Sequence, residues 1–260
     1  MRRLLLVSAL ALAACHASSK VDNEQAMIDS TKVKPEAAQP LTLLAPDGVT
    51  VYATYYPAKN ARATILLFHQ AGSSKDEYKD IAPQLQRAGY AALAIDQRIG
   101  GALFGKNQTM AGYTGKTDYL GALPDLEAAL AWAKAKGLPV VLWGSSYSAS
   151  LVFLVAASGS AKDSVKAVMA FSPGEYFDDK KMVEAAATKV TVPVFVTSAS
   201  DLGEEQEAKA IIDATKSSDR QLFVPRTGTH GSSTLLRSKN PGGADDNWQA
   251  VLAFLKRVIP

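Results

Sequence analysis

The sequence has a single cysteine, three histidines and no lysine- or arginine-rich block, and each shortage excludes a class of protein. One cysteine (Cys15) permits no intrachain disulfide, so a fold outside the cytoplasm would depend on packing alone. A net charge of only +3 without a basic cluster gives no electrostatic footprint for nucleic acid. No group of His, Cys and Asp has metal-ligand spacing, and we expect no metal and no other cofactor.

The chain does have the composition of one soluble globular domain. Its 260 residues are 47% hydrophobic and 20% charged, which is enough to bury a sizeable core. Short apolar strands alternate with helices, which predicts an α/β fold with a mostly parallel, twisted, eight-stranded sheet covered on both faces. The strands are expected at 41–44, 49–55, 65–68, 91–95, 140–143, 165–171, 194–197 and 221–224. The helices are expected at 74–88, 118–136 (interrupted or restarted at Pro124), 147–157, 179–187, 204–216 and 247–258.

The N-terminus carries a targeting segment. Arg2 and Arg3 precede an apolar run of roughly a dozen residues, too short to span a bilayer, which is typical of a secretory signal. The stretch Leu12-Ala13-Ala14-Cys15 resembles the lipobox of bacterial lipoproteins, in which the cysteine is lipidated and becomes the new N-terminus. The alternative is ordinary cleavage near Ala13, which would leave Cys15 without a role.

A polar segment follows the signal. Residues 1–14 are expected to be the signal peptide, residues 15–40 a lipidated cysteine with a flexible tether, and residues 41–260 the folded domain. The protein should then be anchored in the bacterial cell envelope, on the periplasmic face of a membrane, or otherwise secreted to the periplasm. The expected partners are therefore a membrane, through this lipid, and a small substrate.

The clearest chemical signal lies at 140–157, VVLWGSSYSASLVFLVAA. A buried strand stops at Gly144 and a helix begins near Tyr147, so Ser146 lies on a sharp strand-to-helix turn. Small residues two places on either side, Gly144 and Ser148, let the backbone pass. This arrangement is that of a nucleophile elbow, although glycine is more usual than serine at the second flanking position.

The elbow and the element order together resemble the α/β-hydrolase superfamily over nearly all of 41–260, in its dienelactone-hydrolase-like or small bacterial esterase branch. The short gap between the strands ending at Phe171 and beginning at Val194 predicts a minimal lid or none. The resemblance implies a catalytic base after the last strand, where His230 lies between two glycines. The chain order of the triad then favours Asp201 as the acid, with Glu175 as the alternative.

The oxyanion hole is expected to use two backbone N–H groups. One is that of Tyr147, at the start of the elbow helix. The resemblance places the other at Ala71, with Gln70 as the next choice. The function expected is hydrolysis of carboxylic esters through an acyl-enzyme on a Ser-His-Asp triad. The alternatives are a thioesterase or peptidase on the same triad, or a non-catalytic envelope lipoprotein that uses the fold for binding.

Overall fold

The computed structural model describes residues 34–260, and the compact unit begins at Pro35. Eight strands form one sheet, as the alternation of elements predicts. They are β1 (Gln39–Leu44), β2 (Thr50–Tyr56), β3 (Thr64–Phe68), β4 (Ala91–Ile95), β5 (Val140–Ser145), β6 (Val165–Phe171), β7 (Val194–Thr197) and β8 (Arg220–Phe223). Strand β1 begins at Gln39, two residues before the predicted start of the folded domain at Leu41.

The strand order places the candidate catalytic segments at one edge of the sheet. The order is β1-β2-β4-β3-β5-β6-β7-β8, and only β2 runs against its neighbours. The pairs from β4–β3 through β7–β8 are all parallel. The carboxyl ends of parallel strands meet at the same edge, so the segments that follow β3, β5, β6, β7 and β8 lie near one another.

Seven α-helices are found among the described residues: α1 (Ala82–Arg87), α2 (Gln108–Gly112), α3 (Leu123–Ala135), α4 (Tyr147–Ala157), α5 (Met182–Ala187), α6 (Leu202–Ala214) and α7 (Ala244–Val258). Helices α3 to α6 pack on one face of the sheet, and α1 and α7 on the other. Strand β3 supplies both cores, because Leu66 and Phe68 point to the first face while Ile65 and Leu67 point to the second.

Several local features differ from the sequence-based prediction. The helix expected at 74–88 is divided into a 3₁₀ turn (Lys75–Tyr78) and α1, because Pro83 favours the first turn of a new helix. Helix α2 was not predicted. Its five residues are too few to show a helical period, and Asn107 begins it by accepting a hydrogen bond from the Met110 N–H at 2.7 Å.

The signal peptide, the lipobox cysteine Cys15 and most of the predicted tether lie outside the described residues, so these assignments stay predictions. Within residues 34–260 no helix combines the length and the apolar character needed to cross a membrane.

Candidate active site

Ser146 lies on the turn between β5 and α4 in a strained conformation. Its backbone has φ 60° and ψ −128°, a region that non-glycine residues adopt at a cost of roughly 1–3 kcal/mol. Two hydrogen bonds of 2.8 Å hold the turn, from the Ser146 N–H to the Phe171 carbonyl and from the Ala149 N–H to the Ser146 carbonyl. A Cβ at Gly144 would overlap the Ser148 carbonyl oxygen, so only glycine fits there. These are the features predicted for a nucleophile elbow.

Ser148, which stands where glycine is more usual, uses its hydroxyl to fix the elbow. Its Oγ donates to the His69 carbonyl and accepts from Gln97 Nε2, both at 2.6 Å. The elbow helix is thereby tied to the loops that follow β3 and β4. The departure from the usual pattern therefore adds contacts and leaves the turn intact.

His230 lies on the loop after β8, and this loop packs against the elbow. Its neighbour Gly231 has φ 63°, and a Cβ there would overlap Ser145 Oγ and lie 3.7 Å from the Ser146 nitrogen. The Gly231 N–H donates to Ser172 Oγ at 2.9 Å. Because position 231 has no side chain, the loop approaches the serine turn closely enough to bring His230 to the site.

The carboxylate that contacts His230 is Glu204, in the first turn of α6. Its Oε1 lies 2.8 Å from His230 Nδ1. Its Oε2 accepts from the Ala199 N–H at 3.0 Å, which fixes the carboxylate over the end of β7. The structure therefore pairs Glu204 with His230, whose loop packs against the elbow of Ser146, in the chain order serine, acid, histidine.

Neither Asp201 nor Glu175, the two predicted acids, contacts His230 in the structure, because both carboxylates cap helices. Asp201 is exposed and accepts from the Gly203 and Glu204 N–H groups at 3.0 and 3.2 Å, at the N-terminus of α6. Glu175 accepts from the N–H groups of Val183 and Glu184, at the start of α5. The sequence did hold a signal for Glu204. An acidic residue three places after an N-cap aspartate resembles a capping box, in which that side chain turns back over the helix start.

The contact between Glu204 and His230 shifts the pKa of both groups. Burial disfavours the Glu204 carboxylate, but hydrogen bonds from His230, the Ser172 hydroxyl and the Ala199 N–H outweigh it and lower the pKa to about 2. The hydrogen bond to Glu204 raises the pKa of His230 above its ordinary 6.5, and burial only partly opposes it. Glu204 is therefore ionised throughout the neutral range and fixes the proton of the neutral imidazole on Nδ1.

Sequence reasoning missed Tyr176, which follows β6. Burial raises the pKa of its phenol to about 12 against the opposing effect of the Ser146 hydroxyl beside it. Its hydroxyl donates to the Ser172 carbonyl at 3.0 Å, which fixes the position of the ring. Only the fold could reveal this residue, because nothing in Ser-Pro-Gly-Glu-Tyr indicates a ring that turns back toward the serine turn after β5.

The structure separates the candidate oxyanion donors. The Gln70 N–H donates to Glu77 Oε2 at 2.9 Å, so it is not available to a substrate, and its assignment as a donor is corrected. The Ala71 and Tyr147 N–H groups have no acceptor among residues 34–260. Tyr147 is also the first residue of α4, where the helix dipole favours a developing negative charge.

His69, on the loop that holds the Ala71 N–H group, has a structural role. It is fully buried, and burial lowers its pKa to about 4, so it stays neutral. Its Nδ1 lies 2.8 Å from the Gln70 carbonyl, and its Nε2 accepts from the Gln97 N–H at 3.0 Å. In the described part of the chain, no three His, Cys, Asp or Glu side chains cluster so as to hold a metal ion. The expectation that no metal takes part stays a prediction.

The mostly parallel sheet, its strand order and the strained serine between β5 and α4 define an α/β-hydrolase. Within this class the chain belongs to the dienelactone hydrolase family, which it matches over residues 51–259. A comparison with functionally curated proteins finds no significant match.

Three solved structures illustrate the likeness of fold. A dienelactone hydrolase from Anabaena variabilis superposes with a TM-score of 0.69 at 18% identity, covering 88% of this chain and 100% of that one. For an esterase from Pyrococcus furiosus the TM-score is 0.65 at 19% identity, with 86% and 93% covered. For a thermostable carboxyl esterase from Bacillus coagulans, in complex with glycerol, the TM-score is 0.63 at 12% identity, with 86% and 100% covered. At identities this low, the matches show that the fold is shared and nothing more.

Proposed function

We propose that this protein is a serine hydrolase that cleaves carboxylic esters through an acyl-enzyme. Ser146 is the nucleophile, His230 the general base, and Glu204 the acid that orients His230. The observation that carries the proposal is the 2.8 Å hydrogen bond between His230 and Glu204. The loop that holds His230 packs against the turn of the strained Ser146. The names of the similar solved structures, a dienelactone hydrolase and several esterases, support an ester as the substrate.

Acylation begins when Ser146 Oγ attacks the ester carbonyl while His230 Nε2 accepts its proton. Glu204 stabilises the imidazolium that forms and keeps the Nδ1 proton in place. The tetrahedral oxyanion accepts hydrogen bonds from the Tyr147 and Ala71 N–H groups. The imidazolium then gives its proton to the leaving alcohol, and the acyl group stays on Ser146.

Deacylation repeats these steps with water as the nucleophile. Neutral His230 takes a proton from the water, which attacks the acyl-enzyme carbonyl. The same two N–H groups hold the second oxyanion. When it collapses, His230 returns the proton to Ser146 Oγ and the carboxylic acid leaves.

The pH dependence of kcat/KM is expected to report His230. Only the neutral imidazole accepts the Ser146 proton, and Glu204 raises the pKa of His230 above 6.5. Activity should therefore be full at alkaline pH and fall about tenfold per pH unit below a midpoint above 6.5. Initial rates with 4-nitrophenyl acetate, corrected for buffer hydrolysis, give this profile. A rate that stays level down to about pH 5 would contradict the assignment.

A lipid anchor at Cys15 is the second part of the proposal. It rests on the lipobox-like Leu12-Ala13-Ala14-Cys15 alone. Labelled palmitate should enter the full-length protein in a Gram-negative host and should not enter the Cys15→Ser variant. Absence of label from both proteins would count against the anchor and would leave the hydrolase proposal unaffected.

A further inference from the structure

A cleft of about 400 Å³ is connected to the proposed nucleophile through Tyr176, which is part of its lining. Tyr176, which is adjacent to the Ser146 hydroxyl, forms one wall. Tyr119 forms another and stacks on the Tyr147 ring with 4.6 Å between centroids. The remaining lining residues are Ile99, Thr117, Asp118, Leu120, Phe177 and Asp178. Five of the eight lining residues are aromatic or aliphatic, so the cleft can hold an organic group carried by an ester bound at Ser146.

The charges at this cleft are all of one sign. Two exposed carboxylates, Asp118 and Asp178, line it, and no lysine or arginine does so among residues 34–260. Arg98 adjoins Ile99 in sequence, but its guanidinium is held by Asp47 and by Asp125 at 2.7 Å.

The lysines close in sequence to the lining residues do not change this balance. Lys180 is not part of the lining, and its Nζ donates to the Glu175 carbonyl at 3.3 Å. Lys116 precedes Thr117 and is not part of the lining. A carboxylate in the cleft would lose hydration without gaining a cationic partner, and it would also face two like charges.

We propose that this cleft selects esters whose bound organic group is uncharged and that it discriminates against esters carrying a carboxylate there. The inference rests on the proposed function and names the substrate class of the same site. Apolar walls provide the affinity for a neutral group. Desolvation and the two aspartates provide the penalty against an anionic one.

Matched ester pairs test the rule on both sides of the scissile bond. On the acyl side, 4-nitrophenyl hexanoate is compared with 4-nitrophenyl hydrogen adipate. On the alcohol side, methyl 4-acetoxybenzoate is compared with 4-acetoxybenzoate. In at least one pair, kcat/KM of the neutral ester should exceed that of the anionic ester by about tenfold or more at low salt. Ratios within about twofold in both pairs would overturn the rule while leaving esterase activity established.

Removing the two charges tests the cleft itself. In the double variant Asp118→Asn, Asp178→Asn, the discrimination should shrink by about two- to fivefold, and asparagine still caps the turn that begins at Asp118. The matched control Glu127→Gln, Asp213→Asn removes two exposed charges outside the cleft and should leave the ratio unchanged. If the ratio of kcat/KM between the neutral and the anionic ester is the same in both double variants, the proposed role of the cleft aspartates is wrong. If no ester is hydrolysed and Ser146 takes no fluorophosphonate label, the proposed function fails and this rule fails with it.

A different observation supports a second inference, which concerns Glu77 in the 3₁₀ turn after β3. Its side chain is only 1% exposed and takes no part in the mechanism above. Its Oε2 accepts from the Gln70 N–H at 2.9 Å, next to the proposed oxyanion donor Ala71. Its Oε1 accepts from Ser145 Oγ at 2.7 Å, next to Ser146.

The same contacts extend to the histidine loop. Ser145 Oγ accepts from the Ser232 N–H at 2.9 Å, two residues after His230. One carboxylate therefore holds the oxyanion loop and the elbow directly and the histidine loop through one hydroxyl. Burial raises the pKa of Glu77, and hydrogen bonds from Gln70, Ser145 and Ser73 oppose that shift. The titratable groups that sense its charge are Tyr78, Tyr147 and His230.

We infer that Glu77 is a positioning residue that sets the relative placement of these three loops and adds negative charge near His230. The variant Glu77→Gln keeps the size but directs an amide NH₂ at one of two donors. We expect kcat to fall by about ten- to a hundredfold with KM changed by less than about threefold, and the midpoint of the kcat/KM profile to move to lower pH.

Two further variants make this test decisive. Glu77→Asp keeps the charge but cannot reach both donors, so kcat should fall while the midpoint stays in place. Asp76→Asn, the neighbouring acid of the same turn, is the matched control and should behave as wild type. A Glu77→Gln enzyme with wild-type kcat or an unmoved midpoint would overturn the inference. If that variant does not fold, wild-type kcat in Glu77→Asp would overturn it equally. Fluorophosphonate labelling of Ser146 in wild type separates either result from failure of the proposed function.

Discussion

Replacing Ser146 with alanine is expected to reduce ester turnover by a factor on the order of 10⁶, because no other hydroxyl takes its place on the turn. Alanine keeps the Cβ and therefore the same backbone at φ 60°. Stability should change little, so the loss reports chemistry. A fluorophosphonate probe should label the wild-type protein and fail to label the variant, as read by intact-protein mass spectrometry.

Ser148→Ala is the matched control for this experiment. The Ser148 hydroxyl is fully buried and held by His69 and Gln97, so it is not accessible to the probe. The control protein should still take one label, on Ser146. If labelling persists in Ser146→Ala and disappears in Ser148→Ala, the nucleophile is Ser148 and the assignment of Ser146 is wrong.

Replacing Glu204 with glutamine is expected to lower kcat by about 10³- to 10⁴-fold with little effect on the fold. The amide can present its NH₂ group to His230 Nδ1, which would favour the tautomer with the proton on Nε2. That tautomer cannot accept the Ser146 proton. Loss of the carboxylate should also lower the pKa of His230, so residual activity should extend to lower pH than in wild type. Rates and pH profiles with one activated ester measure both effects.

Asp201→Asn provides the decisive comparison, since Asp201 has the sequence position that the superfamily favours for the acid. Asparagine caps helices about as well as aspartate, so this variant should keep activity within about threefold and keep its melting temperature. A severe loss in Asp201→Asn together with near-normal rates in Glu204→Gln would mean that Asp201 is the catalytic acid and that α6 starts differently in the working enzyme.

Some of the site follows from local rules that the sequence displays. A buried strand, a glycine, a serine and the start of a helix occupy adjacent positions, so local sterics determine the elbow at Ser146. The rarity of histidine made His230 a strong candidate, because only three histidines occur in the chain. The order of strands and helices could also be predicted from the sequence, because strands and helices differ in hydrophobic periodicity and in length.

The acid could not be chosen in the same way. Asp201 and Glu204 lie in the same helix start, and either carboxylate can cap or turn back toward β7. The choice depends on where His230 arrives from a loop 26 residues later in the chain. The Gln70 N–H was likewise a reasonable oxyanion donor until the fold placed the buried Glu77 carboxylate against it.

The sequence alone determined the class of fold, the serine at the elbow and the histidine after the last strand, because periodicity and turn sterics are local properties of the chain. Only the tertiary structure decided which carboxylate contacts His230, which N–H groups stay available, and that Tyr176 and Glu77 adjoin the site. Hydrogen bonds between residues distant in sequence depend on how separate loops meet at one edge of the sheet, and no local pattern encodes that meeting.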